Sequence, residues 1–312
     1  MIYTKFCKIF SKQREGMAKY PSNYNQLLTK MTQRLISGLV LIFIIMAAFL
    51  TGAVGTQILL GLIAVLACSE WCALTRITQK KRARRFMLVM LFFGFLQIHF
   101  HYVYAGFGWL FLVCSGAMFM SWLTWRRGFF WMGAGFLYVG LPIFTCLSLI
   151  AVFPKYMYVL VWAAIIAIAN DTGGLVFGKL FAGPKLAPRI SPKKTWAGLV
   201  GGAGFALLVG WYLHRRLSIE MPLSLFLLTN GLLALVSSLG DLFESALKRY
   251  HGFKDSGDII PGHGGILDRL DGFFATILLL ATMIYFYPEV FSQQLPDHDF
   301  PTVFLENVPN ID

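Results

Sequence analysis

The chain has 312 residues, of which 57% are hydrophobic and only 13% charged. Soluble domains carry about a quarter charged residues, so this composition excludes an ordinary soluble globular protein, and the period-2 alternation of an outer-membrane barrel is also missing. The formal net charge of +12 would suit nucleic acid in a soluble chain, but its distribution is better explained by membrane topology, and no nucleic-acid partner is expected.

Residues 1–30 form a basic cytoplasmic extension. Lys5, Lys8, Lys12, Arg14, Lys19 and Lys30 precede the first apolar run, and no small-residue cleavage site follows that run, so no secretory signal is read. Residues 31–290 form one multi-pass membrane domain, and 291–312 a short acidic tail with Asp297, Asp299, Glu306 and Asp312. Apolar runs of about 20 residues are long enough to cross a hydrocarbon core as helices. About nine are expected, at 35–53, 56–74, 86–106, 108–125, 131–153, 157–178, 195–213, 223–247 and 271–290. The third and fourth are joined by a tight Ala-Gly-Phe-Gly turn at 105–108. Pro142 and the glycine pairs at 173–174 and 201–202 fall inside spans, where neighbouring helices re-satisfy the backbone. Cys68, Cys72, Cys114 and Cys146 sit in or beside apolar runs and read as small buried hydrophobes. The fold class is therefore all-α, a polytopic integral membrane protein.

Basic residues set the orientation. With the N-terminus in the cytoplasm, all 27 Lys and Arg except Lys155, Arg215 and Arg216 lie on the inner side. The positive-inside rule then gives N-in, C-out, and the basic loops lie against an anionic inner leaflet.

Two stretches on that inner face carry the ionisable chemistry. At 170–195, Asn170 and Asp171 end the sixth span, and Ser191, Pro192, Lys193, Lys194 and Thr195 lead into the seventh. Hydroxyls and amides at a helix N-terminus bind phosphate, yet the P-loop pattern is absent. Positive-inside lysines with a helix cap would account for this stretch, except for Asp171. At 241–272 there are five Asp, one Glu, two His, two Lys and two Arg. Asp241, Glu244, Ser245 and Lys248 share one helix face. An acid in a membrane helix costs several kcal/mol unless it is paired or faces a polar cavity. A Glu244–Lys248 pair at the membrane edge is the plain structural reading, but Asp241 lies deeper. Asp268 and Asp271 bracket Arg269 at the start of the last span, and Mg²⁺ commonly takes one or two carboxylates plus substrate phosphates. Between the acids, Gly264 and Gly265 let backbone N–H groups approach an anion, beside His263 and the cations Lys248, Arg249, Lys254 and Arg269.

The run Ser245-Ala-Leu-Lys-Arg-x4-Lys254-Asp255-x-Gly257-x2-Ile260-Pro261-x-His263-Gly-Gly-Ile266-x-Asp268-Arg269-Leu270-Asp271 resembles the defining motif of the phosphatidate cytidylyltransferases (CDP-diacylglycerol synthases) at every specified position. The likeness extends to Asn-Asp-Thr-Gly-Gly at 170–174 and Lys-Leu-Ala-Pro-Arg-Ile-Ser-Pro-Lys-Lys-Thr-Trp at 185–196. More loosely it reaches Arg-Leu-Ile-Ser-Gly-Leu-Val-Leu at 34–41 and Ser-Glu-Trp at 69–71. One departure is Ala197, where many relatives carry Glu or Gln. The resemblance implies transfer of CMP from CTP to phosphatidic acid, among membrane lipids, at the cytoplasmic face of the cell inner membrane, by a homodimer. It implies Mg²⁺, alone or with a second cation, held by Asp241 and Asp268, with Asp255 and Asp271 in support. Lys248, Arg249, Lys254, His263 and Arg269 would hold the triphosphate or the departing pyrophosphate. Asp171, Ser191, Lys193, Lys194, Thr195, Gly264 and Gly265 would bind lipid phosphate or nucleotide, and the sequence leaves open which. A relative using another lipid phosphate is the nearer alternative. An ion-coupled transporter is the alternative from another class, although the acids cluster at one face and no inverted repeat is evident.

Overall fold

The computed structural model describes residues 36–75, 77, 80–99, 103–124, 127–152, 156–181, 183–217, 219, 221–257, 259 and 264–291. Helix α1 is Ile36–Leu50. There follow α2 (Gly52–Leu74), α3 (Lys80–His99), α4 (Val103–Thr124), α5 (Arg127–Gly135), a π-helical turn (Phe136–Gly140) and α6 (Leu141–Val152). The second half comprises α7 (Tyr156–Leu180), strands β1 (Lys185–Ala187) and β2 (Ser191–Thr195), α8 (Trp196–Arg216), α9 (Leu223–Tyr250), α10 (Leu267–Phe286) and α11 (Pro288–Phe291). Six helical segments are long and apolar enough to cross a membrane: α2, Gly128–Ala151, α7, α8, α9 and α10. Ile36–Leu50 and Gly106–Met120 are shorter apolar helices, while α3 opens on a run of Lys and Arg that shortens its apolar part. The chain is an all-α membrane protein with one departure. Strands β1 and β2 pair antiparallel, Lys185 opposite Thr195 and Ala187 opposite Ser191. Their sequences, Lys-Leu-Ala and Ser-Pro-Lys-Lys-Thr, carry no alternation that would announce a strand.

The expected turn at 105–108 is helical instead, and the break falls before Val103. Gly106 lies inside α4 because the helix packs there: a Cβ on it would stand 2.5 Å from the Ile98 side chain and 3.3 Å from the Gly94 carbonyl. These glycines bring α3 and α4 together rather than turning the chain.

Pro142 accounts for the π-turn. It has no N–H to offer the Tyr138 carbonyl four residues back, and widening the helix by one residue lets the ladder resume beyond it. Tyr138 is thereby rotated against Trp71, with ring centroids 5.3 Å apart. The core lies between α2, α3, this turn, α6 and α7, where Trp71, Met87, Phe136, Phe144 and Ile166 are fully buried. Outward, Val54, Ile58 and Leu62 repeat every four residues and are well exposed. That apolar stripe suits hydrocarbon, not water.

The glycine pairs at 173–174 and 201–202 join α7 to α8 backbone to backbone. A Cβ on Gly198 would lie 2.8 Å from the Gly174 carbonyl, and one on Gly202 2.6 Å from the Asn170 carbonyl. α9 and α10 meet the same way, with a Cβ on Gly240 falling 2.6 Å from the Asp271 carbonyl. Asn170 Nδ2 donates to Ser238 Oγ at 2.9 Å, tying α7 to α9. Those contacts bring the ends of α7, α8, α9 and α10 into one cluster.

Candidate active site

The cluster is built on α9. Asp241 sits where the close approach of Gly272 on α10 leaves no room for a side chain: a Cβ there would stand 3.2 Å from Asp241 Oδ1. Its other oxygen, Oδ2, accepts from Lys194 Nζ at 2.8 Å, and Lys194 also reaches the Ser238 carbonyl at 3.4 Å. β2 carries Lys194, so the hairpin delivers this cation to α9. Asp171, from α7, opens to the surface and its carboxyl is close enough to Asp241 to interact directly. Asp271, in the first turns of α10, touches Glu244 and receives the Gly272 N–H at 2.9 Å.

Two turns beyond Asp241, Lys248 joins two acids. Its ammonium lies 2.5 Å from Glu244 Oε2 and 2.6 Å from Asp268 Oδ1. The pair expected at the membrane edge is therefore made, but Glu244 is fully buried and Lys248 is shared with a third group. Asp268 is saturated. Ser256 N–H donates to both its oxygens at 3.2 and 3.0 Å, and Gly265 N–H donates to Oδ2 at 3.0 Å.

The remaining residues of interest are placed around this centre. Arg249 donates to the Ile190 carbonyl at 3.3 Å and to the Phe253 carbonyl at 3.2 Å, tying the hairpin turn to the end of α9. Thr195 is buried and caps α8, its hydroxyl accepting from Gly198 N–H at 3.0 Å. Ser191 is half-buried in the hairpin, while Lys193, Lys254, Asp255 and Arg269 are exposed. Gly264 adopts a left-handed conformation at φ 86°, which permits the sharp turn before α10. His263 lies outside the described residues.

Five carboxyls (Asp171, Asp241, Glu244, Asp268 and Asp271) thus gather around Lys194 and Lys248, with Arg269 near Asp171. Among the described residues, two buried carboxylate oxygens, Asp241 Oδ1 and Glu244 Oε1, have no hydrogen-bond partner. An excess of buried acid with unsatisfied oxygens fits a hard cation. Among the described residues no three His, Cys, Asp or Glu side chains form a finished metal cage, so such a cation would need oxygens from a bound phosphate as well.

Glu70, which the sequence marks only as part of the Ser-Glu-Trp run and gives no role, is buried on α2 and takes part in the same network. A signal existed. It is the lone acid in an apolar span, the same oddity that drew attention to Asp241. The sequence also leaves Tyr138 unassigned; its hydroxyl is buried without a hydrogen-bond partner.

A family model described as the cytidylyltransferase family matches residues 32–287. Phosphatidate cytidylyltransferase from Brucella suis is 32% identical over 267 residues, covering 85% of this chain and 96% of the relative. The enzyme of the same name from Staphylococcus epidermidis is 42% identical over 125 residues, 40% of this chain and 48% of its own length. With the match spanning nearly all of the helical region described above, the chain belongs to the cytidylyltransferase family.

Proposed function

We propose that this protein transfers CMP from CTP to phosphatidic acid, giving CDP-diacylglycerol and pyrophosphate. The names of the relatives support the reaction, and the single observation that carries the site is the acid-rich centre at Asp241, where a lysine and an unpartnered carboxylate oxygen meet.

In this reading, a lipid phosphate oxygen forms a new bond to the α-phosphorus of CTP. The bond from that phosphorus to the bridging oxygen breaks, and pyrophosphate departs with the electron pair. The acceptor phosphate is mostly doubly ionised near neutrality, since phosphate monoesters have a second pKa of about 6, so no strong general base is required. The protein's task is to hold two polyanions together and in line. Lys194 stands at Asp241 to receive one phosphate, and Lys193 follows from the same strand. Lys248, Arg249, Lys254, His263 and Arg269 would offset the charge of the triphosphate. Asp241 would hold Mg²⁺ through its unpartnered Oδ1, and Asp268 would join it on giving up its contact with Lys248, with Asp171, Asp255 and Asp271 in support. Bound there, the ion would neutralise charge on the phosphate oxygens.

The same reading gives nine spans with the N-terminus inside, a cytoplasmic active site at the inner membrane and a homodimer. The supporting observation for orientation is the distribution of Lys and Arg, which leaves only Lys155, Arg215 and Arg216 on the far side. Arg215 and Arg216 end α8, where cations are favourable at a helix C-terminus.

The test is the purified protein with labelled CTP, phosphatidic acid and Mg²⁺. Labelled CDP-diacylglycerol and pyrophosphate are expected, with loss on chelation and return on adding Mg²⁺. Asp241→Asn should lower turnover by about two orders of magnitude or more without changing membrane insertion. Near-normal turnover of that variant would remove Asp241 from the reacting centre, and preference for a different lipid phosphate would replace the acceptor.

A further inference from the structure

We propose that Glu70 is a positioning residue for this active site, acting across the bundle by capping the helix that carries Asp268 and Asp271. The inference rests on the reading of 241–271 as the reacting centre.

Helix α10 begins with a difficulty. The residue at its N-cap position is Ile266, whose side chain cannot accept a hydrogen bond. Unsatisfied N–H groups at a buried helix start are costly. Glu70 resolves this from another part of the fold. Its Oε1 accepts from Ile266 N–H at 2.8 Å, and its Oε2 accepts from Leu267 N–H at 2.9 Å, 196 and 197 residues away in sequence. Oε2 also accepts from Ser256 Oγ at 3.1 Å. The carboxylate is 3% exposed. The three donors, with the positive end of the α10 dipole, offset the burial of its charge.

The network leads directly to the acids of the site. Ser256 gives its hydroxyl to Glu70 and its backbone N–H to Asp268, so the two carboxylates are tied through one residue. The loop is shaped around Glu70. A Cβ on Gly257 would lie 2.9 Å from Oε1, and one on Gly265 would lie 2.6 Å from Oε2 and collide with Ser256 Oγ. Gly265 in turn donates to Asp268, which holds Lys248. Glu70 therefore fixes the height and rotation of α10 against α9.

Its own anchor is firm. The adjacent Trp71 donates its indole N–H to the Trp131 carbonyl at 2.7 Å and stacks on Tyr138. A residue on α2, outside the family motif at 245–271, thus governs the motif's geometry.

The experiment uses the full-length protein in detergent or nanodiscs, with Glu70→Gln, Ser256→Ala and the double variant. Glutamine keeps the shape but turns an NH₂ toward donors. Two readouts are taken: amide hydrogen exchange across 264–268, and kcat with KM for CTP and phosphatidic acid. For Glu70→Gln, exchange of those amides should rise about tenfold and kcat fall about tenfold or more, with each KM within about threefold. Exchange in α7 should not change. Ser256→Ala, which removes one donor and leaves the helix cap, should fold normally and show a smaller kcat loss. The double variant should be no worse than Glu70→Gln, because both act through one network. Unchanged exchange at 264–268 would overturn the capping contact. Raised exchange with kcat within twofold of wild type, or a loss confined to KM, would overturn the positioning role. Asp241→Asn, assayed in parallel, separates this from the underlying reading: if that variant turns over normally, the reacting centre is misplaced whatever Glu70 does.

Discussion

Lys248→Met is the most informative single perturbation of the cluster. It removes the ammonium that lies 2.5 Å from Glu244 and 2.6 Å from Asp268, whose side chains are only 1% and 11% exposed. Breaking a buried ion pair by deleting one partner costs about 3–5 kcal/mol, because the remaining charge is left uncompensated. The two acids do not share that loss equally. Asp268 keeps the Ser256 and Gly265 N–H groups, whereas Glu244 Oε1 already lacks a hydrogen-bond partner. Most of the penalty therefore falls on Glu244. At about 2–4 °C per kcal/mol for a large domain, the apparent melting temperature in detergent should drop by roughly 6–20 °C, followed by intrinsic tryptophan fluorescence. Adding Glu244→Gln removes the stranded charge and should recover at least about half of that loss. Transferase activity should stay absent in both variants, because the proposed phosphate ligand is missing. A single variant as stable as wild type, or a double variant less stable than the single, would refute the charge argument. Recovery of activity together with stability in the double variant would remove Lys248 from the phosphate site.

Two further perturbations test the scaffold. Gly198→Ala forces a methyl to within 2.8 Å of the Gly174 carbonyl and should destabilise by about 1–3 kcal/mol; Gly204→Ala on the same helix meets nothing within 4 Å and should be neutral or stabilising by up to about 1 kcal/mol, both read by thermal shift. Thr195→Val removes the α8 cap and should cost about 1 kcal/mol, while Thr195→Ser should melt and turn over like wild type.

The sequence made the acids visible because an ionisable side chain in an apolar run has few innocent explanations. Asp241 could be singled out for that reason, and the Glu244–Lys248 pair follows from helix spacing alone. That Lys248 also engages Asp268 could not be read, since the contact depends on the path of the loop between α9 and α10. Glu70 was open to the same argument as Asp241, yet two of its three partners are backbone N–H groups, which leave no trace in side-chain pattern. The hairpin was hidden for a different reason. Its strands are short and polar, and Pro192 lies within one of them, so neither period nor propensity marks it. At 105–108 one glycine, Gly106, carried a true signal of close packing that reads in sequence like a turn. Hydrophobicity located the helices, but the same letter in a membrane span serves a bend, a seam or a cap.

The glycine seam between α7 and α8 has a consequence for distance. Where side chains separate two helices, the gap can drift with each exchange of a larger residue for a smaller one. Between Gly174 and Gly198 the surfaces in contact are main chain, whose dimensions are the same in every protein. Asp171 rides on one of these helices, and Lys194 and Thr195 lead into the other. The span between an acid that faces Asp241 and the lysine that binds it is thus gauged by covalent geometry, and substitution at the seam can abolish that measure but cannot reset it.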